Sequence, residues 1–518
     1  MKLAGDNMRR SLLIYIGTAI GVLLVAFVCR GGIGGIGENA VRYHQHLEQP
    51  SEAELGPCTV CGGEGALCSH LPLIVIETGG QKIPGRPIPL PDGTVVDYVK
   101  GDNGETEIQV SVSTIEEVGV WHHPEDEPSQ TAYALFRYRG NSSRWFDKGN
   151  YRLKLIQEGE PEQSDKLPLL GMTAGSEWSL HGPFLDKTLM RNYMWMNISA
   201  EVMGYAPNVR FCELILDGEY QGVYVLMETI DMQPGRVALT EYQEGDPMCS
   251  YLVRIEPNVN QAKAINNFTF YTYRLEENGC VEVLYPGTRY QNQQVKNYIQ
   301  TDFNEIEKRL FSLEMVEGDA SYRSFLDTDS FVDYYILQEF LAVNDAFSAS
   351  TYFYRDVRGK LCAGPVWDYN NVLDNFFMPM PDDEFLLSQR GWFSRLMLDE
   401  SFVEQVIRRY RQLRQGVLAE DYLLEYIEQV EGWLGSAIER NFTVWGYSFD
   451  AEQLSQRQRR RPEADSDATI ADVNPASYEE AVEWMEDYMV ERGRWLDRHI
   501  ESLRQYCHPS KKALWTLG

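Results

Sequence analysis

The chain has 518 residues, more than a single ordinary hydrophobic core accommodates, so two or three packed units are expected. Hydrophobic residues make up 43% and aromatic residues 12%, which excludes wholesale disorder. There are 47 Lys and Arg against 77 Asp and Glu, and the net charge of −30 argues against nucleic acid as a partner while leaving basic partners open.

The first predicted element is a membrane anchor in residues 11–29 (SLLIYIGTAIGVLLVAFVC), an uncharged apolar stretch of 19 residues. As a helix it would span roughly 28 Å, close to the hydrocarbon thickness of a bilayer. Arg9 and Arg10 precede it and only Arg30 follows closely, so the positive-inside bias predicts a single-pass protein of the cell membrane, with a cytoplasmic N-terminus and an extracytoplasmic bulk. A cleaved signal peptide is the alternative, but its apolar region is usually only about 7–15 residues long.

A glycine-rich linker follows and leads into the segment CTVCGGEGALCSH. It holds a group of possible zinc ligands, namely Cys58, Cys61, Cys68 and His70. Glycines beside a Cys-x-x-Cys pair free the backbone to wrap thiolates around Zn²⁺. The second Cys-x-x-Cys pair that would strengthen the signal is absent. A local disulfide with a spare thiol is the alternative, and an oxidising exterior favours it.

Short alternating or β-branched runs between residues 71 and 155 predict strands, for example LPLIVIET, EIQVSVS, AYALFRYRG and YRLKL. A mixed region follows. It includes a predicted helix with Asp186 as N-cap and a hairpin turning at Asp217 and Gly218. From residue 293 onwards helical periodicity dominates. The predicted organisation is a stub and anchor (1–30), a linker with the cysteines (31–70), a β-rich N-terminal lobe with the mixed region (71–260) and a mainly helical C-terminal lobe (261–518).

Three local features suggest chemistry. Arg139 to Ser143 (RGNSS) leave one strand, and Lys154 lies on the next, so backbone N–H groups and a lysine could meet the same phosphates. Asp345 ends an apolar helix, where a carboxylate can accept a proton from an attacking hydroxyl. Asp368 closes the apolar strand LCAGPVW, which suits a Mg²⁺ ligand. Each feature alone also fits an ordinary turn or helix end, but their order along the chain is that of a kinase.

Six sequence blocks follow one another along the chain: LPLIVIETGGQKIP, RGNSSRWFDKGNYRLKL, FLDKTLMRN, GEYQGVYVLMETI, FLAVNDAFSASTYFY and GPVWDYNNVLDN. Through these blocks and their order, residues 70–503 resemble the CotH kinase family, the spore coat protein H-like atypical kinases. The resemblance implies an α+β, atypical two-lobed protein-kinase-like fold, with a β-rich N-terminal part and a helical C-terminal part after one transmembrane helix. It also implies ATP, Mg²⁺ or Mn²⁺ as cofactor, and phosphorylation of Ser or Thr in envelope or spore-coat type proteins.

The resemblance also implies roles for individual residues. Asp345 would be the catalytic acid, Lys154 would hold phosphates and Glu228 would lie on the strand that runs to the interlobe hinge. The implied ATP-binding set is Arg139, Gly140, Asn141, Ser142, Ser143, Lys154, Glu228 and Arg254. The implied metal set is Asp368, Asn370 and Ser350.

Three positions depart from the family's pattern. Arg254 stands where many members have Lys, Ser350 where an Asn ligand is frequent, and Asn370 where a second Asp is common. Serine is a weaker metal ligand, and the missing charge at Asn370 lowers the expected metal affinity, for which the nearby Asp374 is a candidate replacement. A catalytically weak or inactive pseudokinase that acts as a binding or assembly scaffold at the cell envelope is therefore the alternative function.

Overall fold

A closed barrel of mostly antiparallel strands forms the N-terminal part of the computed structural model, which describes residues 42–61, 67–90, 95–257, 259, 262–269, 280–312, 321–464 and 466–507. The described strands are β1 (Leu73–Glu77), β2 (Pro87–Pro89), β3 (Val95–Tyr98), β4 (Ile108–Ile115), β5 (Gln130–Tyr138), β6 (Tyr151–Gln157), β7 (Glu160–Ser164), β8 (Glu177–His181), β9 (Val209–Leu216), β10 (Glu219–Glu228), β11 (Tyr251–Glu256), β12 (Ala264–Ile265), β13 (Cys280–Tyr285), β14 (Thr351–Arg355) and β15 (Leu361–Ala363).

The first sheet has the order β5-β4-β1-β9-β10-β8-β6-β7, and the additional pairing of β5 with β6 closes it on itself. Alternate side chains such as Leu153, Leu155, Trp178 and Leu180 fill the interior, as the two-residue period of a strand requires. The residues between them, including Lys154 of β6, therefore lie on the outer face of the barrel. The hairpin predicted at Asp217 is confirmed by the pairing of β9 with β10.

The second sheet has the order β12-β13-β11-β14-β15, and its described neighbours pair antiparallel. Strand β11 lies at its centre with Tyr251, Leu252 and Val253 buried, which explains why this strand begins with three apolar residues in a row. The small strands β2 and β3 form a separate pair.

Helices make up most of the described part after residue 290. In chain order the α-helices are α1 (Gln45–Glu48), α2 (Glu52–Leu55), α3 (Arg191–Val202), α4 (Gln293–Phe311), α5 (Thr328–Phe340), α6 (Phe393–Leu396), α7 (Glu400–Leu413), α8 (Glu420–Leu434), α9 (Ser436–Trp445), α10 (Tyr478–His499) and α11 (Arg504–Cys507). Several begin at side-chain caps; for example, Asp327 accepts from the backbone N–H of Ser330 at 3.1 Å at the start of α5. Asp186 is not the N-cap predicted from the sequence, because α3 begins at Arg191.

Helix α9 lies against the barrel and requires a glycine at one position of β10. Asn441 Oδ1 accepts from the backbone N–H of Val223 at 3.1 Å and from Lys148 Nζ at 2.6 Å. At the neighbouring bulge Gly222 has φ +91°, and a Cβ there would lie 2.5 Å from Asn441 Oδ1. Only glycine allows this approach.

The described residues belong to one compact unit, Arg42–Gly518, that is mixed α+β with β-rich and helical parts in the predicted order. Among them, no helix has both the length and the apolar character needed to cross a bilayer. The anchor predicted for residues 11–29 lies outside the described residues and stays a prediction, as do the domain boundaries.

Candidate active site

Three acidic residues, Glu256, Asp345 and Asp368, lie close together at one end of the second sheet. Strand β11 ends at Glu256, and its antiparallel partner β14 begins at Thr351, so Glu256 lies beside Ser350 and accepts a hydrogen bond from its backbone N–H. Strand β15 runs back along β14 and leads to Asp368 at the same end. The antiparallel pairing therefore gathers residues that are far apart in the chain.

The loop that carries Asp345 is held firmly between α5 and β14. The main-chain oxygen of Asp345 accepts from the backbone N–H groups of Ser348 and Ala349, each at 2.9 Å. Arg390 donates to the main-chain oxygen of Asn344 at 2.6 Å. Among the described residues the Asp345 carboxylate itself has no hydrogen-bond or ion-pair partner. It is therefore available to a proton or a ligand.

The loop that carries Asp368 is anchored by helix α3. The backbone N–H of Tyr369 donates to Asn192 Oδ1 at 2.9 Å, and Arg191 Nε donates to the main-chain oxygen of Val372 at 3.0 Å. The predicted block FLDKTLMRN thus has a positioning role, because its Arg191 and Asn192 fix the position of Asp368.

The backbone of both loops is strained. Left-handed φ angles between 48° and 67° occur at Ala342, Phe347, Ser350, Asp368, Leu373 and Asp374. Non-glycine residues pay roughly 1–2 kcal/mol each for this conformation, so the contacts around the loops must over-determine it. Such strain clusters at functional sites, and here two of the strained residues, Ser350 and Asp368, line one pocket.

Asp345 and Asp368 line that pocket together, with Asn344, Ser350, Trp367 and Asn371 among the other lining residues. Burial raises the pKa of Asp368 to about 6; Arg139 opposes the increase, and the negative charges of Asp345 and Glu256 add to it. The Asp368 side chain reaches solvent at the mouth of the pocket, but the surrounding protein displaces most of the bulk water. Burial also raises the pKa of Asp345, against the charge of Arg390.

Glu256 completes the acidic group. Burial raises its pKa, and the charges of Asp345 and Glu282 add to the effect, whereas Arg254 and the backbone N–H of Ser350 lower it. Glu256 does not itself line the pocket, but its charge interacts with those of Asp345 and Asp368, which do. The three carboxylates repel each other, and a bound divalent cation would relieve that repulsion.

Arg139 is the barrel's contribution to the site. Its guanidinium donates to Ser179 Oγ, stacks over Trp367 with 5.3 Å from Cζ to the ring centroid, and lies close enough to Asp368 to lower the pKa of that carboxyl. The loop that follows turns at Gly140, where φ is +99° and a Cβ would collide with Ser143 Oγ. Asn141 and Ser142 are exposed in this loop, which places their backbone within reach of a ligand.

Lys154 does not line the pocket. It is half-buried on the outer face of the barrel, between Leu135 of β5 and Glu177 of β8. Among the described residues its ammonium group has no ion-pair partner, in contrast to the neighbouring Arg152, which pairs with Glu107 and Glu177. The structure therefore brings Asp345, Ser350 and Asp368 to one pocket and leaves Lys154 on an adjoining surface.

Two other predicted residues, Glu228 and Arg254, have partners of their own. Glu228 is buried, and its carboxylate accepts from Tyr205 and from both nitrogens of Asn208 at 2.9–3.1 Å. Arg254 pairs with Glu282 at 2.7 Å and with Glu256 at 3.6 Å.

Asn370 is buried beside Asp368, and its Oδ1 has no hydrogen-bond partner among the described residues. The suggested substitute Asp374 is already paired with Arg460 at 2.7 Å. Asn370 does not line the pocket, whereas the adjacent Asn371 does, but the side-chain oxygen of Asn370 is unpaired, unlike the carboxylate of Asp374.

The cysteine group is present, but its histidine is His123 and not His70. Cys58, Cys61, Cys68 and His123 bring their ligand atoms within 4.8 Å of one another. His70 instead points Nδ1 at Glu52 Oε1, 3.1 Å away. The described cysteines are unpaired, so the structure shows no disulfide among them.

Sequence reasoning missed Glu256 and His123. Glu256 stands at the end of the predicted strand YLVRIE, and an acid at a strand end was the signal used for Asp368. His123 belongs to WHHPED, where an acid three residues after a histidine can orient the ring. Both residues reach their sites through pairings between distant segments.

These elements define a mixed α+β protein with a strand barrel, a second sheet and an acidic pocket at the edge of that sheet. A family model described as CotH kinase protein matches residues 136–496, most of the chain. The chain therefore belongs to the CotH kinase family, as the resemblance predicted. No curated protein matches the chain significantly.

Proposed function

We propose that this protein transfers the γ-phosphoryl group of ATP, in the presence of Mg²⁺ or Mn²⁺, to a Ser or Thr hydroxyl of another protein. Membership of the CotH kinase family supports kinase chemistry in general. The observation that carries the specific proposal is the pocket shared by Asp345 and Asp368, in which burial raises both pKa values.

The acids at the pocket fit a hard divalent cation. Asp368 and the unpartnered Oδ1 of Asn370 would hold it, with Glu256 close by. When bound, the cation would neutralise charge on the phosphates. Asp345 would accept the proton of the attacking hydroxyl on its carboxylate as the new P–O bond forms and ADP leaves. A base works best with a pKa near the working pH, and burial moves the pKa of Asp345 in that direction.

Arg139 and the loop from Gly140 to Ser143 would bind phosphate oxygens from the barrel side. The guanidinium is already positioned by Ser179 and Trp367, so little side-chain entropy is lost on binding. Lys154, on the same outer face, would reach the nucleotide only from beside the pocket.

The test is phosphate transfer from ATP by the purified full-length chain with Mg²⁺ or Mn²⁺ and a serine-rich protein acceptor. Asp345→Asn should lower the transfer rate at least a hundredfold, because base catalysis commonly contributes about 10²–10⁴. The matched control is Asp329→Asn, which changes an exposed acid on α5 outside the pocket. An unchanged rate in Asp345→Asn, or transfer without divalent cation, contradicts the proposal.

A scaffold without catalysis is the second candidate, and one observation favours it. Ser350 stands where an amide ligand was expected, and its backbone N–H bonds Glu256. ATP that raises the melting temperature of the wild-type chain without any phosphate transfer would support this function.

The cellular placement proposed for this activity is the outer side of the cell membrane, with residues 11–29 as the anchor. It rests on the length and flanking charges of that segment alone. Protease accessibility of the bulk in intact cells, with the N-terminus protected, is the expected result.

A further inference from the structure

A second site, which shares no residue with the acidic pocket, lies where three segments of the chain converge. Trp121 Nε1 donates to the main-chain oxygen of Gly56 at 2.9 Å and so holds the first segment against the loop between β4 and β5. Ser69 and His122 form an isolated antiparallel bridge, with N–H···O distances of 3.0 and 2.7 Å. This bridge places Cys68 opposite His123.

The Cys/His cluster, defined as Cys58, Cys61, Cys68 and His123, has the dimensions of a tetrahedral metal site. The Nε2 atom of His123 lies 3.4 Å from Cys58 Sγ and 3.2 Å from Cys61 Sγ, and all four ligand atoms lie within 4.8 Å of one another. Zn–S and Zn–N bonds at tetrahedral angles place sulfur about 3.6 Å from nitrogen and about 3.8 Å from another sulfur. The side chains are therefore already gathered around one point.

Hydrogen bonding alone does not account for this arrangement. A single ring nitrogen has either one proton or one lone pair, yet two thiol sulfurs approach Nε2 of His123. On the other side of the ring, Nδ1 lies 3.2 Å from Asp126 Oδ2, which also accepts from the backbone N–H of His123 at 2.7 Å. With the proton on Nδ1, the lone pair of Nε2 points at the sulfurs, as in the carboxylate–histidine–zinc arrangement.

The backbone also supports ligation by the first pair of cysteines. The N–H groups of Val60 and Cys61 both point at Cys58 Sγ, the former at 3.4 Å. Hydrogen bonds from the residues two and three positions later stabilise a thiolate on Cys58.

We infer that Cys58, Cys61, Cys68 and His123 bind one zinc ion as a structural centre. Three thiolates and a neutral imidazole select Zn²⁺ over Mg²⁺ or Ca²⁺, and four protein ligands leave no open position for catalysis. Binding releases the three thiol protons to solvent and involves no redox change. The ion joins the segment before the barrel to the loop between β4 and β5.

The experiment is zinc analysis of the full-length chain, purified under reducing conditions without chelator or an immobilised-metal column. We expect one zinc per chain, and loss of most of it in Cys61→Ser and in His123→Ala. Two matched controls, His70→Gln and Cys280→Ser, change a histidine and a half-buried cysteine outside the cluster and should keep the full zinc content. Full zinc in His123→Ala, or loss of zinc in His70→Gln alone, overturns the ligand assignment.

A second measurement uses the wild-type chain, so it does not depend on whether a variant folds. After removal of zinc and titration with Co²⁺, we expect thiolate-to-cobalt charge-transfer bands and the intense visible absorption of a tetrahedral site, both displaced by Zn²⁺. An intact mass lower by two hydrogens under non-reducing conditions, with no metal uptake by the reduced chain, would instead establish a disulfide. Neither outcome depends on phosphate transfer, so this inference can fail while the proposed kinase activity stands.

Discussion

Asp345 and Asp368 approach one pocket from two loops 23 residues apart, and the charge of Asp345 contributes to the raised pKa of Asp368. The two loops flank β14 and β15, which pair with each other and so fix the spacing of the two carboxylates. Mutual repulsion of this kind persists only where the fold fixes both groups. Divalent cation binding at this pocket should therefore depend on pH and on the charges that surround Asp368.

Divalent cation binding should depend on pH around the titration of Asp368. The carboxyl must lose its proton to ligate a cation, and burial raises its pKa to about 6. Affinity for Mn²⁺ should therefore be maximal above pH 6 and fall about tenfold for each unit below it. Calorimetric titration of the nucleotide-free chain across this range measures the midpoint, and Asp368→Asn should abolish both the pH dependence and most of the binding. A midpoint near pH 4 would contradict the raised pKa.

Replacement of Arg139 should move the pH midpoint of Mn²⁺ binding upward. Arg139 lowers the pKa of Asp368, so Arg139→Gln removes the stabilising charge and leaves the carboxyl protonated to higher pH. The same Mn²⁺ titration gives the shift. The matched control is Arg137→Gln on the same barrel face, whose guanidinium pairs with Glu107 at 2.9 Å and should leave the midpoint unchanged.

Replacement of Glu256 should move the midpoint in the opposite direction. Its negative charge raises the pKa of Asp368, so Glu256→Gln should lower the midpoint, although Mn²⁺ affinity at high pH also falls if Glu256 contributes to the site. The glutamine oxygen can still accept from the Ser350 backbone. Glu282→Gln is the control, because Glu282 pairs with the same Arg254 but does not influence Asp368. Shifts of equal sign in the Arg139 and Glu256 variants would be inconsistent with this electrostatic account.

The buried ion pair of Arg492 with Glu339 should be needed for stability. Both side chains are almost inaccessible, and their closest atoms are 2.7 Å apart. Arg492 also donates to the main-chain oxygens of Asp382 and Glu384 at 3.0 and 2.6 Å.

Arg492→Met leaves Glu339 charged and unpaired, so urea unfolding should show a loss of about 3–5 kcal/mol. Arg494 lies on the same helix as Arg492 and pairs with Glu420 of α8 at the surface, so Arg494→Met should cost far less. Equal losses in the two variants would mean that the buried pair has no special role.

Local patterns predicted the barrel strands well, because alternation and the Asp217-Gly218 turn are properties of short segments. The meeting of Asp345 with Asp368 followed from the family resemblance, since neither residue differs locally from an ordinary turn acid. Glu256 and His123 could not be predicted in this way. Glu256 depends on the pairing of Ile255 with Thr351 and His123 on the bridge between Ser69 and His122, and single-sequence periodicity does not reveal which distant segments pair.

The charged residues that influence the pKa of Asp368 are divided between the barrel and the second sheet. Asp368 and its acidic neighbours belong to the second sheet, whereas the arginine that keeps Asp368 ionised extends from the barrel. Because the guanidinium of Arg139 lowers the pKa of Asp368, thermodynamic reciprocity requires that ionisation of Asp368 favours the position that Arg139 occupies over Trp367. The contact between the barrel and the second sheet is therefore stronger when Asp368 has lost its proton.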